Sequence, residues 1–310
     1  MTDAARRRRY RRRHRRHRLG LLAAGTLLWL TAHLPLWLTH ALGSGLGRLL
    51  WWFPNILRET ARDNLVRCLP ELTCQQRQRL LRANLRETAK LFLELGPIWD
   101  WPRERLLALV DDNTARPVLD RLMASGQGLI VVGPHAGCWE LGGLYMAARY
   151  PTFTALYRPS RLPVDDYLRR VRSRFGAGLA STDPAGIRQL LAALRRGGCI
   201  GILPDQDPGP RGGCFVPFFG QPANTMVLLS RLAIRSRAAV VVCYMERLPC
   251  GRGYRLHAHP APAIAEAPLE TSLRAVNSAV ESVALALPEQ YLWAYRRFRS
   301  RPPGPDASAV

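Results

Sequence analysis

An α/β fold is predicted by two features of this 310-residue sequence. Short runs of apolar residues, each the length of a buried strand, alternate along the chain with longer segments in which apolar residues recur every three or four positions. Hydrophobic residues make up 47% of the chain, which is enough to cover a sheet on both faces. We therefore predict a mostly covered, mixed sheet with helices packed against it.

The apolar runs place strands at residues 128–132, 153–157, 199–203, 239–245 and 254–258. Helical periodicity places helices at residues 75–95, 138–149, 164–175, 184–195, 224–235 and 271–287. In the first of these helices Leu81, Leu85 and Phe92 mark the apolar face. Because no internal repeat or low-complexity linker interrupts this alternation, residues 48–310 are predicted to form one domain.

The amino-terminal region carries much of the positive charge of the chain. The whole sequence has 45 Lys and Arg against 23 Asp and Glu, a net charge of +22. Residues 1–18 hold ten arginines and one aspartate, and the rest of the chain keeps a net charge of +13. Such a chain attracts acidic partners, among which nucleic acid and an anionic membrane surface are the first to consider.

The segment that follows favours the membrane. Residues 19–47 contain no Lys, Arg, Asp or Glu, and 29 uncharged residues can reach across or deep into a bilayer core of about 30 Å. A cleaved signal peptide is disfavoured because the apolar run is long and bulky, and a twin-arginine signal because its pattern is missing. We expect residues 1–18 to be a cytoplasmic tail, residues 19–47 a membrane-anchoring helix, and nucleic acid not to be a partner; a buried soluble helix is the alternative.

Topology is constrained by a second positive cluster, Arg48, Arg58, Arg62 and Arg67, which follows the apolar segment and opposes its translocation. Pro35 is expected to divide the segment into a shallow hairpin or an interfacial helix. The domain is therefore predicted to lie on the cytoplasmic face of the membrane.

The cysteines and histidines indicate neither a disulfide framework nor a metal site. Seven cysteines are an odd number, and none shows CxxC spacing. His257 and His259 alternate on a predicted strand without a third ligand nearby. We predict no metal and no cofactor.

The strongest sign of an enzyme is the segment 133–140, Gly-Pro-His-Ala-Gly-Cys-Trp-Glu, which leaves the strand predicted at 128–132. A strand that ends in His-x4-Glu brings a general base, His135, and an orienting carboxylate, Glu140, to the sheet edge where open α/β folds place their chemistry. A solvated loop histidine is the alternative. The small residues Gly133 and Gly137 allow a ligand to approach the backbone.

Polar residues also follow two other predicted strands. Arg158 comes directly after the strand at 153–157, and Asp205, Gln206 and Asp207 follow the strand at 199–203. The segment 222–225, Pro-Ala-Asn-Thr, is interpreted as the opening of a helix. Because the carboxyl ends of several strands meet in one crevice, these polar residues are predicted to converge.

Together these segments resemble the late acyltransferases of lipid A biosynthesis, the lauroyl and myristoyl transferases. The resemblance covers nearly the whole chain after the arginine-rich tail, and its motifs stand in a fixed order. They are Asn64-Leu65 with Cys68-Leu69-Pro70-Glu71, His135-x4-Glu140, Tyr157-Arg158-Pro159, Pro204-Asp205-Gln206-Asp207, Phe215-Val216-Pro217-Phe218-Phe219-Gly220, and Pro288-Glu289-Gln290-Tyr291-Leu292-Trp293 with Arg296-Arg297-Phe298.

The resemblance implies a membrane-bound O-acyltransferase of the bacterial inner membrane, with the glycerophosphate-acyltransferase-like fold and an amino-terminal membrane-associated helix. Such an enzyme moves a fatty acyl chain from acyl carrier protein to the hydroxyl of a 3-hydroxyacyl chain on a lipid A precursor. We expect His135 to deprotonate that hydroxyl as it attacks the thioester directly, while Glu140 holds the imidazole.

The remaining site residues are assigned to substrate binding. Arg158 is expected to bind an acceptor phosphate or the developing oxyanion, or else to form an ion pair with a loop carboxylate. Asp205, Gln206 and Asp207 form the loop beside it. A Mg²⁺ site in that loop is disfavoured, since thioester transfer needs no metal. The apolar segment 215–219 lines the acyl channel, enters the membrane interface, or packs in the core.

Other interpretations of function stay open. Cys138 is a rival nucleophile between His135 and Glu140. The segment Ala136-Gly137-Cys138-Trp139 has no aromatic residue directly after the histidine, unlike many lipid A acyltransferases, and it also resembles acyltransferases of phosphatidylinositol mannosides. The same chemistry on another membrane glycolipid or an ornithine-type aminolipid is therefore the alternative. A non-catalytic membrane protein that binds anionic lipid or nucleic acid through its arginine tail belongs to a different class.

Overall fold

A seven-stranded sheet forms the middle of a three-layer α/β/α arrangement in the computed structural model, which describes residues 20–160 and 164–302. Along the chain the strands are β1 (Val110–Asp111), β2 (Leu129–Val132), β3 (Thr154–Tyr157), β4 (Gly178–Ser181), β5 (Cys199–Ile202), β6 (Gly213–Phe218), β7 (Gln221–Met226), β8 (Ala239–Arg247) and β9 (Tyr254–Pro260).

The order across the sheet is β1-β9-β8-β2-β5-β3-β4. From β8 to β4 all neighbouring strands are parallel, whereas β9 runs antiparallel to β8 and parallel to β1. The predicted mixed sheet is confirmed. Because β2, β3 and β5 are parallel, the loops that leave their carboxyl ends lie at the same edge of the sheet.

The helices of the described chain are α1 (residues 20–32), α2 (Leu36–Trp52), α3 (Ile56–Cys68), α4 (Cys74–Asp100), α5 (Arg103–Leu107), α6 (Ala115–Ala124), α7 (Trp139–Arg149), α8 (Asp165–Arg172), α9 (Pro184–Arg195), α10 (Val227–Ser236) and α11 (Leu269–Ala286). Alternate residues of the central strands bury against opposite layers. Ile130 and Val132 face α9, α10 and α11, whereas Leu129 and Val131 face α6 and α7.

The apolar amino-terminal segment is divided as Pro35 predicts. Residues 33–35 are not helical, and α2 begins at Leu36 with Pro35 as its N-cap. Helix α2 lies close to α4, because a Cβ added at Gly43 or Gly47 would come within 2.6 Å or 2.4 Å of the α4 backbone. Within the described ranges no helix is both long and apolar enough to cross a membrane. The tail predicted at residues 1–18 lies outside the described residues.

A buried ion cluster, formed by His40, Glu87, Glu94, Arg247 and Tyr254, joins α2 and α4 to the sheet. The Glu94 carboxylate is fully buried and accepts hydrogen bonds from both Arg247 nitrogens Nε (2.8 Å) and Nη2, and from the Tyr254 hydroxyl at 2.9 Å. His40 Nε2 lies 2.9 Å from the same carboxylate. Arg247 also donates through Nη1 to Glu87 at 2.8 Å. Four elements are thereby held together by charge-assisted hydrogen bonds.

Two sequence-based predictions of local structure are wrong. Residues 222–225 do not open a helix; they belong to β7, which pairs with β6 in an antiparallel hairpin, and α10 begins only at Val227. Phe92 is exposed, although the helical periodicity placed it on the apolar face. In the segment 215–219, Val216 and Phe218 are buried and belong to the main core, so these two side chains are packing residues.

Candidate active site

The loop that carries His135 leaves β2 at the centre of the sheet. Its path is fixed by Gly137, which has a left-handed backbone (φ 59°) and passes so close to β8 that an added Cβ would lie 1.8 Å from the Met245 carbonyl oxygen. The next residue, Cys138, donates its backbone N–H to that same oxygen at 2.8 Å. Helix α7 starts directly afterwards, so the histidine stands between a strand end and a helix N-terminus.

A segment near the end of the described chain, residues 288–298, clamps this loop from outside. The backbone N–H of Leu292 donates to the His135 carbonyl at 2.9 Å, and that of Gly137 donates to the Gln290 carbonyl at 3.1 Å. The segment is itself held by two buried asparagines: Asn84 Nδ2 donates to two of its carbonyls and Asn64 Nδ2 to two more. These contacts tie Asn64, which stands in the first of the resemblance motifs, to the segment that clamps the histidine loop.

The imidazole of His135 is held by Asp205. His135 Nδ1 lies 2.7 Å from Asp205 Oδ1, and the His135 backbone N–H donates to Oδ2 at 2.9 Å. Burial raises the pKa of the Asp205 carboxyl, but the charge and the hydrogen bonds of His135 outweigh burial and leave that pKa below its ordinary value. The carboxylate is therefore ionised at neutral pH, and Nδ1 is the nitrogen that donates to it.

The other ring nitrogen of His135 faces Gln206. The side-chain nitrogen of Gln206 lies 3.1 Å from His135 Nε2. Because Nδ1 carries the proton donated to Asp205, Nε2 is free to accept a hydrogen bond. The Trp139 ring stands edge-on to the imidazole, with ring centroids 4.9 Å apart, and limits its rotation.

Glu140 does not hold the imidazole in this structure, and the hydrogen bond predicted between Glu140 and His135 is replaced by the one from Asp205. The Glu140 carboxylate instead accepts two hydrogen bonds from Arg172 on α8, of which the one from Nε measures 3.1 Å. Trp99 Nε1 at the end of α4 donates to it at 3.3 Å. Glu140 is the second residue of α7, and its side chain points towards α8.

A cavity of about 870 Å³ opens at the carboxyl ends of β2, β3 and β5. It brings together most of the residues predicted from sequence: His135 and Glu140 follow β2, Arg158 follows β3, and Gln206 and Asp207 follow β5. The predicted crevice is therefore present, and its size falls within the ~300–1,000 Å³ of ligand pockets. The exposed Arg158 side chain lies at its rim.

The carboxylates of Asp205 and Asp207 accept hydrogen bonds from groups other than Arg158. Asp207 accepts backbone N–H bonds from Gly209 at 2.8 Å and from Ser300 at 2.9 Å, and a side-chain bond from Asn224 at 3.0 Å. Asp205 is committed to His135. The ion pair with a loop carboxylate, which was the alternative role for Arg158, is thus not formed.

Cys138 is buried away from the cavity. Its side chain is 0% exposed, and burial, with the nearby Glu94 carboxylate, raises the pKa of its thiol well above the ordinary value. A neutral, inaccessible thiol is a poor nucleophile.

We expect Cys138→Ser to keep kcat within about threefold of the wild type, because general-base assistance, worth roughly 10² to 10⁴, is retained. Steady-state kinetics check this; an acyl group trapped on Cys138 would contradict it.

The histidines on β9 take part in an aromatic stack. The rings of Tyr244, His257 and His259 lie nearly parallel, and His257 Nε2 is 2.8 Å from the Glu246 carboxylate. In the part of the chain that the structure describes, no group of three or more His, Cys, Asp or Glu residues is placed to hold a metal ion.

Two residues of the site were missed by sequence reasoning. Arg172, the partner of Glu140, sits in a short charged helix whose sequence pattern indicates only a solvated surface. Trp139, the neighbour of the imidazole, was noted only as part of the loop. The role of Arg172 could not be predicted from the sequence, because α8 and α7 come together only through tertiary packing.

Comparison with known proteins identifies the family of the chain. The family model described as "Bacterial lipid A biosynthesis acyltransferase" matches residues 7–300. The chain is 32% identical over 282 residues to the lipid A biosynthesis lauroyltransferase of Escherichia coli (strain K12), covering 90% of each chain. It is 32% identical over 286 residues to the palmitoleoyltransferase of the same organism, again covering 90% of each. The myristoyltransferase matches at 27% over 263 residues, covering 84% of this chain and 80% of that one. The chain therefore belongs to the bacterial lipid A biosynthesis acyltransferase family.

Proposed function

We propose that this protein transfers a fatty acyl chain from acyl carrier protein to the hydroxyl of a 3-hydroxyacyl chain on a lipid A precursor. The observation that carries the proposal is an imidazole whose Nδ1 is bound to a buried carboxylate and whose Nε2 side faces a cavity large enough for a lipid chain. This is the arrangement of a general base, and family membership supplies the substrate class.

The proposed mechanism is direct transfer. The acceptor hydroxyl takes the hydrogen-bonding position that Gln206 now occupies at His135 Nε2, which removes the hydroxyl proton as the oxygen attacks the thioester carbonyl. The tetrahedral intermediate then collapses with cleavage of the carbon–sulfur bond, and the imidazolium returns the proton to the departing thiolate. Asp205 stabilises the imidazolium that forms between these two steps.

Glu140 is proposed to act through Arg172. The carboxylate holds the guanidinium in the cavity wall, where both side chains are lining residues. Arg172 also lies over the Tyr157 ring, with its guanidinium carbon 5.6 Å from the ring centroid. The pair presents a fixed, neutralised surface beside the imidazole. Arg158 at the cavity rim is proposed to bind an acceptor phosphate through its planar donor fork.

Charge and exposed apolar surface support the proposed partners. The acidic donor protein and the phosphorylated acceptor are attracted by a chain of net charge +22. Helices α1 and α2 expose large apolar side chains that suit an interface with lipid; they include Leu22, Trp29, Leu30, Trp37, Leu49 and Trp52. We propose that these helices rest on the cytoplasmic face of the bacterial inner membrane.

The test is mass spectrometry of the acceptor. The purified full chain, given acyl carrier protein loaded with a saturated chain and a lipid A precursor that lacks secondary chains, should add the mass of one acyl group. His135→Ala is the matched inactive control. Cellular lipid A should lose the same group when the gene is removed.

Each part of the proposal has its own contrary outcome. Acylation of a different glycolipid or an aminolipid alone would overturn the acceptor, and transfer from acyl-coenzyme A alone would overturn the donor. If deletion of residues 1–18 abolishes function while His135→Ala does not, the protein is a non-catalytic binder.

A further inference from the structure

The large cavity reaches both faces of the sheet. On the face covered by α7 it is lined by a group of six residues that we call the α7 arm: Gly143, Leu144, Phe153, Ala155, Ala177 and Leu179. Register supports the grouping, because Ala155 on β3 pairs with Leu179 on β4 and both side chains therefore point to one face. Leu156 and Ile187 line the cavity on the opposite face.

The α7 arm differs chemically from the rest of the cavity. Its six residues carry no polar side-chain atom. Glu140 on α7 and Arg172 on α8 also line the cavity, and their charges are paired with each other. The other side holds Arg211 and Arg231, both exposed, together with Arg158 at the rim. One part of the cavity thus suits a hydrocarbon chain and the other suits a phosphorylated headgroup.

Gly143 leaves open space in the wall of the α7 arm. Gly143 lies on α7 and lines the cavity, and a Cβ added there would meet no atom within 4 Å. Glycine costs a helix interior about 1 kcal/mol relative to alanine. The preceding Gly142 is also open to an added Cβ but does not line the cavity, so the two neighbours differ in what a larger side chain would occupy.

We propose that the α7 arm binds the acyl chain of the donor and that the absence of a side chain at Gly143 sets the longest chain accepted. This inference rests on the proposed acyl transfer. The donor chain arrives on a water-soluble protein and must be shielded from water along its whole length, which an apolar arm provides. The acceptor is anchored in the bilayer by several chains and presents phosphates to the arginine side.

The experiment compares Gly143→Leu with Gly142→Leu, both measured as purified full chains against acyl carrier proteins loaded with saturated chains of increasing length. Each methylene excluded from the arm costs about 0.8 kcal/mol, or roughly fourfold in affinity. Two excluded methylenes should therefore lower kcat/KM for the longest good donor by roughly fifteenfold relative to shorter ones. Gly142→Leu should keep the chain-length profile of the wild type.

Several outcomes would overturn the inference. An unchanged chain-length optimum in Gly143→Leu, the same shift in Gly142→Leu, or a changed preference among acceptors in place of donors would each do so. If Gly143→Leu is inactive with every donor, Gly143→Ala is tested in its place, since alanine favours the helix. A ratio of long-chain to short-chain rates in Gly143→Ala equal to that of the wild type would refute the inference. A wild-type chain that transfers no acyl group at all would instead refute the proposed function.

Discussion

Replacing His135 with alanine should lower kcat by roughly 10² to 10⁴, the usual value of general-base assistance. Asp205→Asn should lower it by a similar factor, because an amide neither stabilises the imidazolium nor fixes Nδ1 as the donor to the Asp205 side chain. Rates of acyl transfer under saturating donor and acceptor measure both effects. Binding residues would raise KM instead.

A control distinguishes the role of the Asp205 carboxylate from that of the Glu140 carboxylate. Residues that act as a unit are strongly non-additive. In a His135→Ala background, Asp205→Asn should therefore cost little more, whereas Glu140→Gln should cost as much as it does in the wild type. The effects of Glu140→Gln and Arg172→Met should instead be non-additive, because each substitution removes the ion-pair partner of the other residue. Coupling of Glu140 to His135, with none to Arg172, would restore the original His-Glu interpretation.

The second large effect concerns stability. Glu94→Ala should lower the free energy of unfolding by about 3–5 kcal/mol, because it leaves the buried Arg247 guanidinium without its main counter-charge. For a chain of this size the loss corresponds to a fall in Tm of roughly 5–15 °C. Thermal unfolding of the purified full chain, followed by circular dichroism, measures it.

Two further variants decide whether the charge is the cause. Glu87→Ala removes the more exposed partner of Arg247 and should cost less than half as much. The double replacement Glu94→Leu with Arg247→Met removes both charges and should recover much of the loss. If the double variant is no more stable than Glu94→Ala, packing around Glu94 and not its charge explains the effect.

The stabilisation by Glu94 also has a defined pH dependence. Burial raises the pKa of its carboxyl, but Arg247 and His40 lower it further, and the net pKa lies well below its usual range. A carboxyl whose folded pKa is depressed stabilises the protein above its unfolded pKa of about 4.3. The contribution is therefore complete at neutral pH and is lost as the pH falls below that value towards the folded pKa.

The strands that could be predicted from sequence are those buried on both faces. Runs such as Leu129–Val132 and Cys199–Ile202 are continuous apolar segments with no other interpretation at that length. Strands β1 and β4 escaped prediction because one has two residues and the other is Gly-Leu-Ala-Ser. The β6–β7 hairpin was missed because its prolines and polar residues are unlike those of a buried strand.

The sequence located the loops of the site, but it did not identify the hydrogen-bond partner of each side chain. The carboxyl ends of the parallel strands had to meet, so the approach of His135 and Gln206 followed from topology. The partner of the imidazole depended on the direction in which the start of α7 points Glu140 and on the path of the loop after β5. The nearer carboxylate in sequence was Glu140, and the nearer one in space is Asp205.

The clamp by residues 288–298 joins parts of the chain that are synthesised at different times. The hydrogen bond between His135 and Leu292 joins positions 157 residues apart, and that between Asn64 and Trp293 joins positions 229 apart. Chains leave the ribosome from the amino terminus, so α1 to α4 emerge long before the segment that fixes the imidazole loop. We expect an unfinished chain to lack a formed base, because the loop that carries His135 is not yet clamped.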